Sequence, residues 1–440
     1  MRGSRKFQNT CRTRLNATGD LLRTRTVATL LVVGVLGVAA LTACGDDSST
    51  ASQATSQGAP SSTGASGSPT TGGAPSGVPY KVGIPFRQSG TSASVYQKSV
   101  PSTAMSWEKW VNAHGGINGH PVEVVLGDSG GDAAKGLSVV RKMVETDKVV
   151  MLHLEDNVID TAIAAYTPGQ KVAVASPWTP YPIWNSTPNW YPLGIANVDF
   201  TSASAKVVAD AGIKSAGSIV CAEVAACANA IDPFAKALTA LGVRADGGVK
   251  IAATAPNYTA ECLALKAKGT EAIYIGISID SAARVIKDCA TQNYHPRVIM
   301  PAAVLDPRVS TLVGPGVDVL SAQTTIPWYA DSPILKDFND AVTQYGDPST
   351  NNMISMYTWT ALEFFREAAT KAKLGENPTR DEVNKALAAD SPTDVGGLAP
   401  QVSFAGADQP NPATTKCYFV GGWSGGKFIL PNGDKPKCLS

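Results

Sequence analysis

The chain has 440 residues, a formal net charge of +1 and eight cysteines. Beyond an N-terminal region of biased composition, about 360 residues remain, which is more than one typical hydrophobic core holds and suits two lobes. This body has no stripe of basic residues, which argues against nucleic acid as a partner. It also has no second long apolar run, so we expect it to be soluble.

The N-terminus is typical of an exported protein. Seven Arg and Lys residues precede an apolar run at 27–40, which is shorter than the roughly 20 residues of a membrane-spanning helix. The run ends in Leu41-Thr42-Ala43-Cys44, which resembles the lipobox of bacterial lipoprotein precursors. The resemblance implies a signal peptide at 1–43, cleavage before Cys44 and a lipid on its sulfur, which would anchor the protein to the extracytoplasmic face of the cell membrane. The alternatives are an ordinary secretory signal with an incidental cysteine and a transmembrane anchor.

A linker follows the predicted lipidation site. Residues 45–78 are almost entirely Ser, Thr, Gly, Ala, Pro and Gln. Such a segment buries too little apolar surface to offset the entropy lost on ordering. We therefore predict that 44–78 comprises the lipidated cysteine and a disordered linker, which spans roughly 30 Å as a flexible coil.

Six cysteines remain in the body once Cys11 and Cys44 are set aside. An even number in an exported protein favours disulfides. Six cysteines allow 15 pairings, but these six form three local couples, so we predict the bridges Cys221–Cys227, Cys262–Cys289 and Cys417–Cys438. The alternative is a metal site, but there is no C-x2-C spacing, and only His295 among the histidines lies near a cysteine in sequence. We predict no metal and no cofactor.

Short β-branched runs alternate with helical patterns along the body. Strands are predicted at 80–85, 121–126, 149–154, 172–175, 218–221, 249–252, 272–275, 297–300, 319–324, 415–420 and 427–430. Helices are predicted up to residue 113 and at 132–145, 158–166, 203–211, 232–241, 259–268, 281–292, 334–345 and 352–372. This order predicts an α/β protein with two parallel sheets covered by helices. Ligands of such sheets bind beyond the carboxyl ends of the strands, so we expect a cleft between two lobes.

The segment 110–123, WVNAHGGINGHPVE, resembles the end of the first helix in type I periplasmic binding proteins of the leucine/isoleucine/valine-binding family. Asp128 matches an acidic position common in that family. The resemblance implies three chain crossovers, with lobe 1 at 79–197 plus 326–410 and lobe 2 at 198–325 plus 411–440. It implies capture of a small solute outside the membrane and delivery to the membrane subunits of an ABC importer.

The resemblance also implies ligand contacts at the strand ends of lobe 1. We select the loop residues Arg87, Gln88 and Ser89 after the first strand, Asp156 and Asn157 after the third, and Trp178 and Thr179 after the fourth. Arg87 can pair with a carboxylate, and Trp178 can stack on a planar solute. The alternatives are a surface arginine, a helix cap at Asp156 or Asn157, and lobe packing by the aromatic residues.

In lobe 2 and near the hinge we select Ser278, Asp280 and Trp328. Amino-acid binders of the family usually place a Glu close to position 303, where this chain has Ala303. This difference argues against an α-amino acid and favours another small polar or aromatic solute. A ligand sensor that uses the same fold without transport is the alternative function.

An exported hydrolase is a third hypothesis, because the G-x-S-x-G pattern occurs at 127–131 and 422–426. Chance matches are expected in a chain this rich in Gly and Ser. We therefore predict that the protein is not an enzyme and has no catalytic residues.

Overall fold

The computed structural model describes residues 74–90, 93–223, 225–314 and 316–439. The predicted signal peptide, Cys44 and the linker up to residue 73 lie outside the described residues, as does the side chain of Ala303. Within the described ranges, no helix combines the length and the apolar character needed to cross a membrane.

The body is built from thirteen strands and thirteen α-helices in the described part of the chain. The strands are β1 Tyr80–Phe86, β2 Val122–Asp128, β3 Met151–His153, β4 Ala173–Ser176, β5 Trp190–Pro192, β6 Ser215–Cys221, β7 Arg244–Ile251, β8 Ala272–Gly276, β9 Arg297–Ile299, β10 Val319–Gln323, β11 Cys417–Ser424, β12 Lys427–Ile429 and β13 Lys437–Cys438. The helices are α1 Ser99–Ala113, α2 Ala133–Glu145, α3 Asp160–Ala164, α4 Thr167–Gln170, α5 Asn197–Asp210, α6 Ala225–Ala228, α7 Ile231–Ala240, α8 Thr259–Ala267, α9 Ile279–Thr291, α10 Val309–Leu312, α11 Lys336–Tyr345, α12 Met353–Lys371 and α13 Arg380–Ala389.

The first sheet has five parallel strands in the order β2-β1-β3-β4-β5. Helices α1 and α12 pack on one face and α2 and α3 on the other. Successive residues of a strand point to opposite faces, so Met151 joins the core under α1 and α12 while Leu152 joins the core under α2. Both faces are apolar, as a buried parallel sheet requires.

The second sheet follows the order β7-β6-β8-β9-β10-β11-β12. Strands β7 to β10 run parallel, whereas β11 and β12 are antiparallel and form a hairpin. Gly425 and Gly426, which join them, have φ angles of 58° and 79°. Positive φ at both central residues defines the tight turn that fits the twist of a hairpin.

Three disulfides join the couples that the sequence predicts. Cys221–Cys227 follows β6, Cys262–Cys289 links α8 to α9, and Cys417–Cys438 links β11 to β13. All three lie around the second sheet. The structure thus contains the predicted α/β architecture of two sheets covered by helices.

The chain passes between the sheets after β5, after β10 and before β11, and the first two of these crossovers lie side by side. The amide of Ile326 donates to Leu398 O at 2.9 Å. A Cβ atom at Gly194 would lie 2.3 Å from Pro177 O and 3.2 Å from Thr324 Cβ, so only glycine fits between them. This close packing places the carboxyl ends of β4 and β10 next to each other. The exact lobe bounds stay a prediction.

Candidate solute-binding site

Polar and charged side chains gather at the carboxyl ends of β1, β2 and β3. Arg87 follows β1, Ser129 follows β2, and Glu155 and Asp156 follow β3. All four are almost completely buried. Parallel strands end at the same edge of a sheet, which explains how residues far apart in sequence meet here.

Asp156 is the centre of this network. It accepts from Arg87 Nη2 at 2.5 Å, from Ser129 Oγ at 2.5 Å and from the amide of Val158 at 3.2 Å. Burial disfavours the charged form of Arg87, but the hydrogen bond to Asp156 raises the pKa of the guanidinium above its ordinary value. Arg87 and Asp156 therefore form a buried ion pair.

The loop that carries Gln88 and Ser89 is held by Asp128 at the end of β2. The carboxylate accepts from both backbone amides at 3.1 Å and from Ser89 Oγ at 2.6 Å, and it pairs with Lys135 Nζ at 2.6 Å. Although desolvation opposes ionisation, the hydrogen bonds from Lys135 and Ser89 hold the pKa of Asp128 well below its ordinary value. The acid that matches the family pattern therefore fixes the shape of this loop. Both Gln88 and Ser89 are exposed.

His153 and Glu155 form a second buried pair. His153 Nδ1 lies 3.1 Å from Ala175 O, which can only accept, so Nδ1 carries a proton. Nε2 lies 2.6 Å from Glu155 Oε2. A contact this short between two acceptors requires one shared proton, and the pair is neutral as a unit. Burial raises the pKa of Glu155, which is consistent with that sharing.

Asp160, in the first turn of α3, is the third acid of the group. Its Oδ2 accepts from Trp184 Nε1 at 2.8 Å, whereas its Oδ1 is buried and has no hydrogen-bond partner among the described residues. Burial raises the pKa of Asp160 well above its ordinary value, and the nearby Asp156 and Glu155 raise it further. A carboxyl of this kind takes up a proton in the folded protein.

Aromatic rings line the same end of the sheet. Arg87 lies over the ring of Tyr96, 5.5 Å from its centroid. Trp178, half-buried after β4, lies 6.4 Å from Tyr357 of α12 with the two rings nearly parallel. Trp178 also meets Phe200 of α5 edge-on at 5.3 Å. Since α5 packs against the second sheet, this last contact crosses from one lobe to the other.

Several buried polar atoms near the crossovers have no hydrogen-bond partner in the described part of the chain. They include Thr179 Oγ1, Thr325 Oγ1, and both amide atoms of Gln323, whose side chain is completely buried. Buried polar groups in folded proteins nearly always find a partner in protein, water or ligand.

The residues selected in the second lobe have local partners. Ser278 caps α9 by accepting from the amide of Ser281 at 3.4 Å. Asp280 is exposed and pairs with Arg308 at 3.1 Å. Trp328 packs edge-on against Phe428 of β12 at 5.3 Å. In the first lobe, Asn157 is half-buried. Its backbone carbonyl accepts from the amide of Asp160 at 3.4 Å, in the turn that leads into α3.

We did not predict Tyr96, Tyr357 or Phe200 as site residues from the sequence. Each lies on or beside a helix, where the local pattern shows only an aromatic residue in an apolar stripe. Only the packing of those helices on the sheets brings the rings to the strand ends. Glu155 precedes Asp156 in the sequence. Its position shortly after β3 was the signal from which it could have been predicted as a site residue.

Ser129, the serine of the first hydrolase-like pattern, is completely buried. Its Oγ donates to Asp156 and also lies 3.0 Å from Phe86 O. A serine nucleophile needs a base such as histidine to take its proton, whereas the ring of His153 contacts Ala175 and Glu155. Ser424 of the second pattern lies at the end of β11, beside the hairpin turn, and its Oγ donates to Asp318 at 2.6 Å.

Comparison with known proteins assigns the family. The sequence model of the family described as "Periplasmic binding protein" matches residues 79–427. The Leu/Ile/Val-binding protein homolog 1 of Brucella melitensis is 24% identical over 327 residues, which cover 72% of this chain and 85% of the relative. The chain therefore belongs to the periplasmic binding protein family.

Solved structures share the fold. A solute-binding protein of an ABC transporter from R. palustris, solved with benzoate, matches with a TM-score of 0.66 and 20% identity over 82% of this chain and 98% of that one. The fatty acid ABC transporter substrate-binding protein of Thermomonospora curvata matches with a TM-score of 0.67 and 19% identity over 80% and 91%. The fold is the two-lobed type I fold of this family, with a cleft between the lobes.

Proposed function

We propose that this chain is an extracytoplasmic solute-binding lipoprotein that captures a small polar or aromatic solute in the interlobe cleft and delivers it to an ABC importer. The match of the family model to residues 79–427 carries the proposal. The names of the relatives support a small, partly apolar solute, since one is named for Leu, Ile and Val and another was solved with benzoate. The protein is not an enzyme on this proposal, and closure on the solute is its mechanism.

The crossovers supply the hinge in this proposal. Two adjacent chain segments near Gly194 and Thr324 connect the lobes, and small changes in their backbone angles would open and close the cleft. A solute that contacts both lobes stabilises the closed form by its extra affinity for that form. The importer then recognises the closed, loaded protein.

The residues proposed to contact the solute differ in the chemistry that they offer. Trp178 and Tyr357 supply apolar and stacking surface, and Thr179 supplies a buried hydroxyl that has no partner within the described residues. Gln88, Ser89, Asn157, Ser278, Asp280 and Trp328 stay proposed contacts at other parts of the cleft. Arg87 and Asp156 act together as one neutral pair.

A ligand screen tests solute capture. Amino acids, amides, aromatic acids, amines and sugars are added to the purified full chain in detergent, and the unfolding temperature is measured. A solute that binds only the folded state raises that temperature. Trp178→Ala should weaken binding at least about tenfold, because a stacked ring contributes roughly 1–3 kcal/mol. The control is Tyr166→Phe, distant from the cleft, and a screen without any shift would count against the proposal.

Uptake separates transport from sensing. Deletion of the gene should abolish uptake of the solute found in the screen, and the intact gene should restore it. Uptake that persists, together with a lost transcriptional response to the solute, would favour the sensor instead.

The lipid anchor has its own test. Cys44→Ala should abolish incorporation of labelled palmitate and release the protein from the membrane fraction. Cys11→Ala, which lies inside the predicted signal peptide, is the matched control and should change neither result. Labelling that persists in Cys44→Ala would contradict the anchor and leave solute capture untouched.

A further inference from the structure

We infer that the solute presents an uncharged or cationic hydrogen-bond donor, an amide or an ammonium group, to the first lobe, and not a carboxylate. This inference rests on the proposed function and names the class of its solute. Three features of the strand ends carry it: the partner of Arg87, the charge of the buried group, and a buried hydroxyl beside aromatic rings.

The cation of the site is already paired. Arg87 lies 2.5 Å from Asp156, and only about 10% of its side chain is exposed. Asp156 is completely buried, and its other donors are a hydroxyl and a backbone amide. A solute carboxylate could take Arg87 only by leaving the charge of Asp156 without its cation in a buried position, which is strongly unfavourable. The ion pair therefore disfavours the binding of an anionic solute at this position.

The charges of the group point the same way. Arg87 and Asp156 neutralise each other, His153 and Glu155 are neutral as a unit, and burial favours the uncharged form of Asp160, so the group as a whole is uncharged. At the rim, Asp128 is balanced by Lys135 at 2.6 Å. An anionic solute would bring an uncompensated negative charge into a place where water is largely excluded.

A buried hydroxyl and aromatic rings are present near the same strand ends. Thr179 Oγ1 is buried and has no hydrogen-bond partner among the described residues. The half-buried Tyr96 lies under Arg87, and the half-buried Trp178 precedes Thr179 in the chain; aromatic faces attract cations and N–H groups. An N–H donor on a planar or apolar body can donate to the hydroxyl and lie against such a ring.

Matched sets of solutes test the inference on the full chain in detergent. One set is benzoate, benzamide and benzylamine, and a second is isovalerate, isovaleramide and isoamylamine. Dissociation constants are measured by calorimetry at pH 7.5, where each acid is ionised and each amine is protonated. We expect the amide or the amine of at least one set to bind at least tenfold tighter than its acid, and the tighter of the two identifies the head group.

The outcomes of this experiment can be distinguished from those of the experiments that test the proposed function. An acid that binds as tightly as its amide and amine overturns the inference while supporting solute capture. If neither set binds at all, the inference is overturned, and the broader screen of amino acids and sugars still decides on the proposed function.

Asp156→Asn gives a specificity readout that a merely structural role would not give. The substitution keeps the shape and the acceptor for Ser129 but releases Arg87 from its counter-ion. We expect benzoate to gain at least tenfold in affinity, with benzamide changed by less than about threefold. Asp160→Asn is the control that leaves Arg87 paired, and it should give no tenfold gain for benzoate. If Asp156→Asn does not fold, the comparison of the two solute sets in the unmodified protein still decides.

Discussion

Both sheets contain a set of parallel strands, but their strand ends differ in charge and in the features that stabilise them. At the carboxyl ends of the first sheet, Arg87 and Asp156 are buried and hydrogen-bonded. At the corresponding edge of the second sheet, Ser278 caps a helix and Asp280 forms an exposed ion pair. All three disulfides lie around the second sheet.

The difference indicates that the two lobes contribute differently to solute binding and to stability. Burying three carboxyls at one edge of a sheet opposes folding, and such departures from stable design are expected at functional sites. The first lobe therefore carries the chemical selectivity of the proposed cleft. The second lobe is braced by three disulfides, and in the proposed function it closes on the solute.

The largest expected effect concerns the buried ion pair. Arg87→Met leaves the charge of Asp156 buried without its cation, and we expect the free energy of unfolding to fall by about 3–5 kcal/mol. Urea unfolding measures it. Lys81→Met removes an exposed partner of Glu123 near the start of the same strand and should change stability by less than about 1 kcal/mol. Equal losses for both variants would erase the contrast between buried and exposed charges.

The next effect belongs to the second lobe. Cys262–Cys289 spans a sequence separation of 27 residues, and replacing both residues by Ala should lower the free energy of unfolding by roughly 3–4 kcal/mol, because the unfolded chain gains freedom. Cys221–Cys227 spans only 6 residues, so its double Ala variant should lose less, about 2 kcal/mol. Denaturation under oxidising conditions gives both values. A larger loss of unfolding free energy for the shorter loop would contradict the prediction that the stabilisation by a disulfide increases with loop length.

A gain is expected at Asp160. Its pKa is raised by burial, so between its ordinary value of about 3.9 and the raised value the folded protein binds a proton that the unfolded chain has lost. Stability therefore falls as pH rises through that window. Asp160→Asn should flatten this dependence and raise the free energy of unfolding at pH 8 by roughly 1–3 kcal/mol. Asn can still accept from Trp184.

Unfolding of Asp160→Asn from pH 4 to pH 8 checks the prediction. Asp381→Asn, which loses an exposed partner of Lys171, is the matched control and should leave the profile unchanged. An unaltered slope in Asp160→Asn would mean that this carboxyl is ionised in the folded protein.

The smallest effect is expected at the strand end of the second lobe. Asp280→Ala breaks an exposed pair with Arg308, and surface pairs contribute about 0–1 kcal/mol. Thermal unfolding should change little, and high salt should remove any difference from the unmodified protein. A loss comparable to that of Arg87→Met would mean that charge is as important in the second lobe as in the first.

The strand pattern made much of the fold predictable. The runs at β1, β8 and β10 were found to within one residue, because a strand buried on both faces has a largely apolar sequence. The strand β5, Trp190–Pro192, was not predicted, since three residues ending in proline carry no periodic signal. Its place at the sheet edge tolerates the missing amide of Pro192.

The candidate site was predictable in part for the same reason. Strand ends can be located from sequence, so Arg87, Asp156 and Trp178 could be selected by position. Their partners could not: Arg87 meets an acid 69 positions away, and Trp178 meets Tyr357 of a distant helix. Which side chain pairs with which depends on packing that no local pattern records.

By itself the sequence determined the alternation of strands and helices, the three disulfide couples and the resemblance to a binding-protein family. These follow from local composition, from spacing along the chain and from a contiguous motif. Only the tertiary structure decided that Arg87 is neutralised by Asp156, that His153 and Glu155 share a proton, and that Asp160 lies buried beside them. Charge in a folded protein depends on burial and on neighbours, and both are set by contacts between residues distant in sequence.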